Sequence, residues 1–130
     1  MINTIKKLLE KLTASLDVGA KEKQMSSRVE FLAESLAWKK IKNGAFVLDV
    51  RSQSEAQSGT LPGAVVIRHT ELANHLGSLP AIKSSEIVCY CARGGRSEIA
   101  KQFLIDHGYT AVFNAGGYQS LKAYADQNGL

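Results

Sequence analysis

From Ala45 onward the chain alternates short apolar runs with amphipathic stretches, and glycines, a proline or capping residues mark most of the changes of pattern. Ala45 to Val50, Ala64 to Ile67, Glu86 to Tyr90 and Ala111 to Phe113 have the length and apolar character of buried strands. Ser52-x-x-Glu55 has capping-box spacing and opens a short helix, and Gly59 to Gly63 with Pro62 is a turn. Thr70 opens a brief helix through Leu76. Ser97 to His107 is an amphipathic helix with Ile99, Ala100, Phe103 and Leu104 inward, closed by Gly108. After Gly116-Gly117 a last helix runs from about Tyr118 to Gln127. This alternation predicts an α/β fold: a parallel sheet of about four to five strands flanked by helices on both faces. Ligands of such sheets bind beyond the carboxyl ends of the strands. That edge holds Asp49, Val50 and Arg51 after one strand and Cys91 onward after another.

Two helices are expected upstream. Residues 2–16 place Ile2, Ile5, Leu8, Leu9, Leu12 and Leu16 on one side and lysines opposite, and the polar stretch from Asp17 to Gln24 reads as a linker. A second helix is expected near Ser27, where Ser27-x-x-Glu30 has capping-box spacing, with Leu32, Leu36 and Ile41 inward and Asn43-Gly44 at its end. The chain thus divides into an extra N-terminal amphipathic helix and linker, 1–24, and a domain, 25–130. The isolated N-terminal helix needs an apolar surface to cover its stripe, and the expected one is the domain itself rather than a partner or a membrane.

Composition excludes several classes. The 130 residues carry a net charge of +4, with basic residues spread along the chain rather than gathered in a stripe, so nucleic-acid binding is not expected. No apolar run reaches membrane-spanning length and no continuous apolar h-region follows the N-terminal lysines, which points to a cytoplasmic protein. Cys89 and Cys91 are too few for a disulfide scaffold and have no second pair for zinc. His69, His75 and His107 show no mutual metal spacing. His75 and His107 read as surface or helix-end residues, whereas His69 follows a strand and stands where it could reach a site rim.

The chemistry-bearing segment is Cys91-Ala92-Arg93-Gly94-Gly95-Arg96-Ser97, between a strand and a helix. A cysteine at a strand end can expose its sulfur. Two glycines let the backbone curl so that several N–H groups converge, and the following helix adds its positive end. Arg93 and Arg96 add full charge, Arg96 being the stronger anion contact because it stands near the helix start. A thiol in this setting has a lowered pKa and acts as a nucleophile. Arg51 is either a third cation or a partner of Glu55. Asp49 reads as a structural hydrogen-bond acceptor, and Cys89, inside the strand, as a buried inert thiol.

The C-x-x-G-x-R-S loop resembles the active-site loop of rhodanese-like domains. Three other segments resemble that family in the same order: Leu48-Asp49-Val50-Arg51, Glu55 through Gly59-Thr60-Leu61-Pro62-Gly63-Ala64, and Asn114-Ala115-Gly116-Gly117. The resemblance covers roughly residues 28 to 127 and departs at Thr60, where the family usually has histidine, and at Arg68 and His69, where an Ile-Pro-Leu type segment is common. It implies a sulfurtransferase without a cofactor: Cys91 takes the outer sulfur of a small anionic donor such as thiosulfate and passes it to a thiol or to cyanide. Two alternatives are a non-catalytic binding or regulatory module and a cysteine phosphatase or arsenate reductase of the same fold. The latter use a C-x5-R loop, against C-x4-R here, and the former often lack the cysteine.

Overall fold

The computed structural model describes residues 29–130. The expected helix at 2–16 and its linker lie outside the described residues. The described elements run α1 (Glu34–Lys42), β1 (Phe46–Asp49), α2 (Gln53–Gln57), β2 (Val65–Val66), two 3-10 turns (His69–Asn74 and Leu76–Ser78), β3 (Ile87–Cys91), α3 (Gly95–Asp106), β4 (Val112–Gly117) and α4 (Tyr118–Gln127).

The four strands form one parallel sheet in the order β2-β1-β3-β4. Each of the three connections between strands is therefore a crossover, and the connections together with α1 and α4 cover both faces. Strand side chains alternate between those faces. Leu48, Val50, Ile87, Cys89 and Cys91 point to one side and pack with Ile67, Leu72, Ala100 and Leu104. Val47, Val88 and Tyr90 point to the other and pack with Ala37, Trp38, Leu121 and Ala125 from α1 and α4. The Trp38 indole donates to the Leu121 carbonyl at 2.9 Å, which ties α1 to α4.

Three sequence expectations need correction. The helix expected near Ser27 begins at Glu34, and Val29–Ala33 is not helical. Leu32 instead donates its N–H to the Asn114 carbonyl at the edge of β4. Those tertiary contacts outrank the local capping signal. Leu36 and Ile99, both expected inward, are exposed. In α3 the buried stripe is Ser97, Ala100 and Leu104, at i, i+3 and i+7, and two small residues in it let the helix sit close to the sheet. The segment opened at Thr70 forms 3-10 turns rather than an α-helix.

These positions predict unequal sensitivities. Leu104→Ala removes a fully buried side chain and is expected to cost about 2–5 kcal/mol. Ile99→Ala on the same helix is expected to stay within about 0.5 kcal/mol. Chemical denaturation of the two variants checks the assignment of the inner face.

Candidate active site: the loop after β3

Cys91 is the last residue of β3, and Gly117 of β4 is its strand partner. The chain then reverses into α3 through Gly94, whose φ of 98° lies in the left-handed region. A side chain at Gly94 would also collide with the Phe31 ring, at 2.4 Å. This turn aims backbone donors at the sulfur. The Gly94 N–H donates to Cys91 Sγ at 2.9 Å, and Ser97 Oγ lies 3.5 Å from the same atom. Burial by itself pushes the Cys91 thiol up. The Ser97 hydroxyl and the N–H groups of Ser97, Arg93 and Gly94 outweigh it and hold the thiol below its ordinary value.

Cys89 lies two residues away on the same face, yet its chemistry is the opposite. Burial pushes its thiol up to about 12, and its Sγ approaches only the carbonyls of Ser97 and Phe113. It is a packed, inert thiol. The difference between the two cysteines is the Ser97 hydroxyl and the loop N–H groups that face Cys91.

Asn114, one of four buried polar or charged residues among the described residues, holds the loop in shape. Its Oδ1 accepts from Ser97 Oγ at 2.7 Å and from the Gly116 N–H at 3.0 Å. Its Nδ2 donates to the Gly94 carbonyl at 2.9 Å and to Glu98 Oε1 at 3.2 Å. Sequence reasoning placed Asn114 only in the Asn-Ala-Gly-Gly turn. An asparagine at the end of an apolar run, one residue ahead of two glycines, is the available signal.

The three arginines divide into three states. Arg51 is buried, and its side chain is bidentate to Asp49, with Nη2 at 2.7 Å from Oδ2, and also donates to the Gly59 carbonyl. Tyr90 donates its hydroxyl to the same Asp49 oxygen at 2.9 Å, and Arg51 stacks on Tyr118 at 4.4 Å. The alternative pairing of Arg51 with Glu55 is thereby excluded, because Arg96 takes that carboxylate. Arg96 Nη1 and Nη2 lie 2.6 and 2.9 Å from Glu55 Oε1 and Oε2. The Arg96 contact, with further help from the Ser52 cap, draws Glu55 down to about 2, and Arg96 itself rises through Glu55 first and Cys91 after it. Glu55 also completes the capping box of α2 with Ser52. The sequence showed that cap but not the ion pair, whose partners lie 41 residues apart. Arg93 is exposed and forms no ion pair among the described residues.

Thr60 is exposed. His69 sits at the carboxyl end of β2 with a buried Nδ1 that has no hydrogen-bond partner, while His107 bonds the Phe103 carbonyl at the end of α3. Among the described residues no group of three or more histidine, cysteine, aspartate or glutamate side chains is arranged to hold a metal, and no helix is long and apolar enough to cross a membrane.

Residues 31–124 match the model of the rhodanese-like domain. The chain belongs to the rhodanese-like domain family. It is 35% identical over 88 residues to the human thiosulfate:glutathione sulfurtransferase, covering 58% of this chain and 76% of that protein. It is 32% identical over 74 residues to the thiosulfate sulfurtransferase PspE of Escherichia coli strain K12, covering 57% of this chain and 71% of the relative. The solved structure of the human single-domain sulfurtransferase TSTD1 superposes with a TM-score of 0.62 at 30% identity, covering 71% of this chain and 94% of that one. This rhodanese domain is an enzyme of the rhodanese type, a sulfurtransferase.

The loop geometry makes the two thiols distinguishable. Iodoacetamide applied to the folded protein is expected to modify Cys91 and spare Cys89, with the rate rising through a midpoint below the ordinary thiol value of 9.0. Ser97→Ala is expected to move that midpoint upward, because a donor to the thiolate is lost; an unchanged midpoint would assign the effect to the backbone alone. The Glu55–Arg96 contribution to stability is expected in full above the ordinary carboxylate value of 4.5 and to fade as pH falls toward about 2, since the folded-state value is the lower one. Acid melts of the wild type and Glu55→Gln check this: the two should converge at low pH.

Proposed function

We propose that this sulfurtransferase carries sulfur as a persulfide on Cys91. The observation that carries the reading is the loop of N–H donors around a cysteine whose thiol is held below its ordinary value. The Cys91 thiolate attacks the outer sulfur of thiosulfate. The new sulfur–sulfur bond forms as the bond to the sulfonate breaks, and sulfite leaves with the electron pair. A thiol, or cyanide in an assay, then attacks the outer sulfur, and Cys91 leaves as a thiolate.

The residues divide the work. The N–H groups of Arg93, Gly94 and Ser97 and the Ser97 hydroxyl face the sulfur and stabilise negative charge on it at each stage, with Ala92 and Gly95 completing the loop. Arg93 meets the incoming dianion. Arg96, tethered to Glu55, supplies charge from a fixed position and holds the loop to α2. Arg51 and Asp49 act below the site as its support. No cofactor enters this cycle.

The same geometry disfavours a phosphatase or arsenate reductase. Arg96 already grips a carboxylate with both guanidinium arms, so it is not presented as a clamp for a tetrahedral oxyanion. The retained, activated Cys91 likewise argues against a purely regulatory module. We place the protein in the cytoplasm, where reducing conditions keep such a thiol free.

Cys91→Ser is expected to abolish transfer from thiosulfate to cyanide, and Cys89→Ser to retain it. Arg93→Ala is expected to raise the KM for thiosulfate about tenfold to a hundredfold, the cost of a lost charge-assisted contact of about 1.5–3 kcal/mol. Mass spectrometry after thiosulfate treatment should find one added sulfur on Cys91. Normal turnover by the Cys91 variant would end this reading.

A further inference from the structure

The loop that carries Cys91 is held by two side chains that do not belong to it. One is the buried amide of Asn114, which donates to the Gly94 carbonyl and accepts from the Gly116 N–H. The other is the ring of Phe31, from the non-helical segment Val29–Ala33. Gly94 and Gly116 face one another beneath that ring, and both have left-handed backbone, with φ of 98° and 86°. A Cβ on Gly94 would overlap the ring and come within 3.3 Å of the Gly116 Cα, and a Cβ on Gly116 would meet the same ring at 3.3 Å. Two facing glycines, one from the loop and one from the end of β4, thus make a bare backbone seat that a flat ring fills.

The ring is brought to this seat by its own backbone. Leu32, the next residue, donates its N–H to the Asn114 carbonyl at 2.8 Å. The main chain of Asn114 therefore places Phe31, while its side chain fixes the two glycines. Phe31 leaves 51% of its surface exposed, so burial of the ring gives it only part of a reason to lie there. Its effect on the loop is specific. Gly94 is buried, although Ala92, Arg93 and Gly95 around it are exposed. Gly94 is also the residue whose N–H donates to Cys91 Sγ at 2.9 Å.

We propose that Phe31 is a positioning residue of the active site: its ring, seated on Gly94 and Gly116, keeps the Gly94 N–H turned toward the Cys91 sulfur. For the reaction, the inference rests on the reading of Cys91 as the nucleophile. Without the ring, water reaches Gly94 and competes for its N–H, and glycine is the residue whose backbone turns most freely. The Gly94 carbonyl stays with Asn114, but the Arg93–Gly94 peptide that carries the donor is released. The loop then keeps its place while one of its donors loses its aim.

Two readouts test this: the pH midpoint of Cys91 alkylation, and single-turnover release of sulfite from thiosulfate. Phe31→Ala should raise the midpoint by about one pH unit, the size of one lost charge-assisted hydrogen bond. Below both midpoints its sulfite release should slow about tenfold, and it should recover as pH rises past the new midpoint, because the thiolate returns. Phe31→Leu refills part of the seat and should lie between Phe31→Ala and the wild type; it replaces Phe31→Ala in the comparison if that variant does not fold. Ile87→Val is the control for general loosening, since Ile87 is fully buried at the far end of the strand that carries Cys91. It should keep the wild-type midpoint and rate. The charged and titratable side chains around the sulfur, Arg93, Arg96 and Glu98 after the strand, Cys89 within it and Glu55 across from Arg96, are retained in all three variants. A wild-type midpoint in the folded Phe31 variant, or an equal rise in Ile87→Val, overturns the positioning role. Normal sulfite release by Cys91→Ser overturns the nucleophile reading instead, and the midpoint series still decides whether Phe31 aims the Gly94 N–H.

Discussion

One buried side-chain amide fastens the strand edge to the loop that carries the chemistry. Asn114 accepts from Ser97 and from the Gly116 backbone and donates to the Gly94 carbonyl and to Glu98. The amide orientation is fixed, because the Gly116 N–H can only meet an oxygen. Gly94 and Ser97 are also the two residues that approach the Cys91 sulfur most closely. The position of the donors around Cys91 therefore depends on a contact from the neighbouring strand. A low-pKa thiol is thus a property of the β3–β4 pairing as much as of the loop.

The charges around that loop are separated by function. Asp49 and Arg51 lie under the sheet edge with Tyr90 and Tyr118 packed on them, and the Asp49 carboxylate accepts from both Arg51 and Tyr90. Such a buried pair is costly to break, since either member left alone is a desolvated charge. Arg96 and Glu55 form a half-exposed pair that joins α3 to α2 across the mouth of the site. Arg93 remains the cation on the loop that faces solvent without an ion pair among the described residues. In the proposed cycle substrate charge is met by Arg93 and by the backbone dipoles, and Arg51 and Arg96 keep the geometry in which that meeting occurs.

The two cysteines show how narrow the structural basis of reactivity is. They share a strand, a face and near-complete burial. Cys89 lies in the apolar core with its thiol toward the Ser97 and Phe113 carbonyls, which offer nothing to a thiolate. Cys91 stands one pleat further on, where the strand ends and N–H groups turn inward. Burial raises both thiols, and only at Cys91 do the Ser97 hydroxyl and the loop N–H groups outweigh it.

The sequence by itself determined the layer order and the place of the Cys91 loop at the carboxyl edge of the sheet. Strand-length apolar runs, glycine turns and a capping box are local signals, and local geometry reads them directly. The Ser52–Glu55 cap and the helix from Tyr118 to Gln127 form as the sequence indicated. Tertiary structure alone decided what depends on distant neighbours. It left Val29–Ala33 outside any helix, with Leu32 bonded to the Asn114 carbonyl. It exposed Ile99 by seating α3 on Ser97 and Ala100, and it gave Glu55 to Arg96 rather than Arg51. Each of these outcomes sets a local preference worth a fraction of a kcal/mol or so against burial and charge pairing worth more, and no local pattern names the partner.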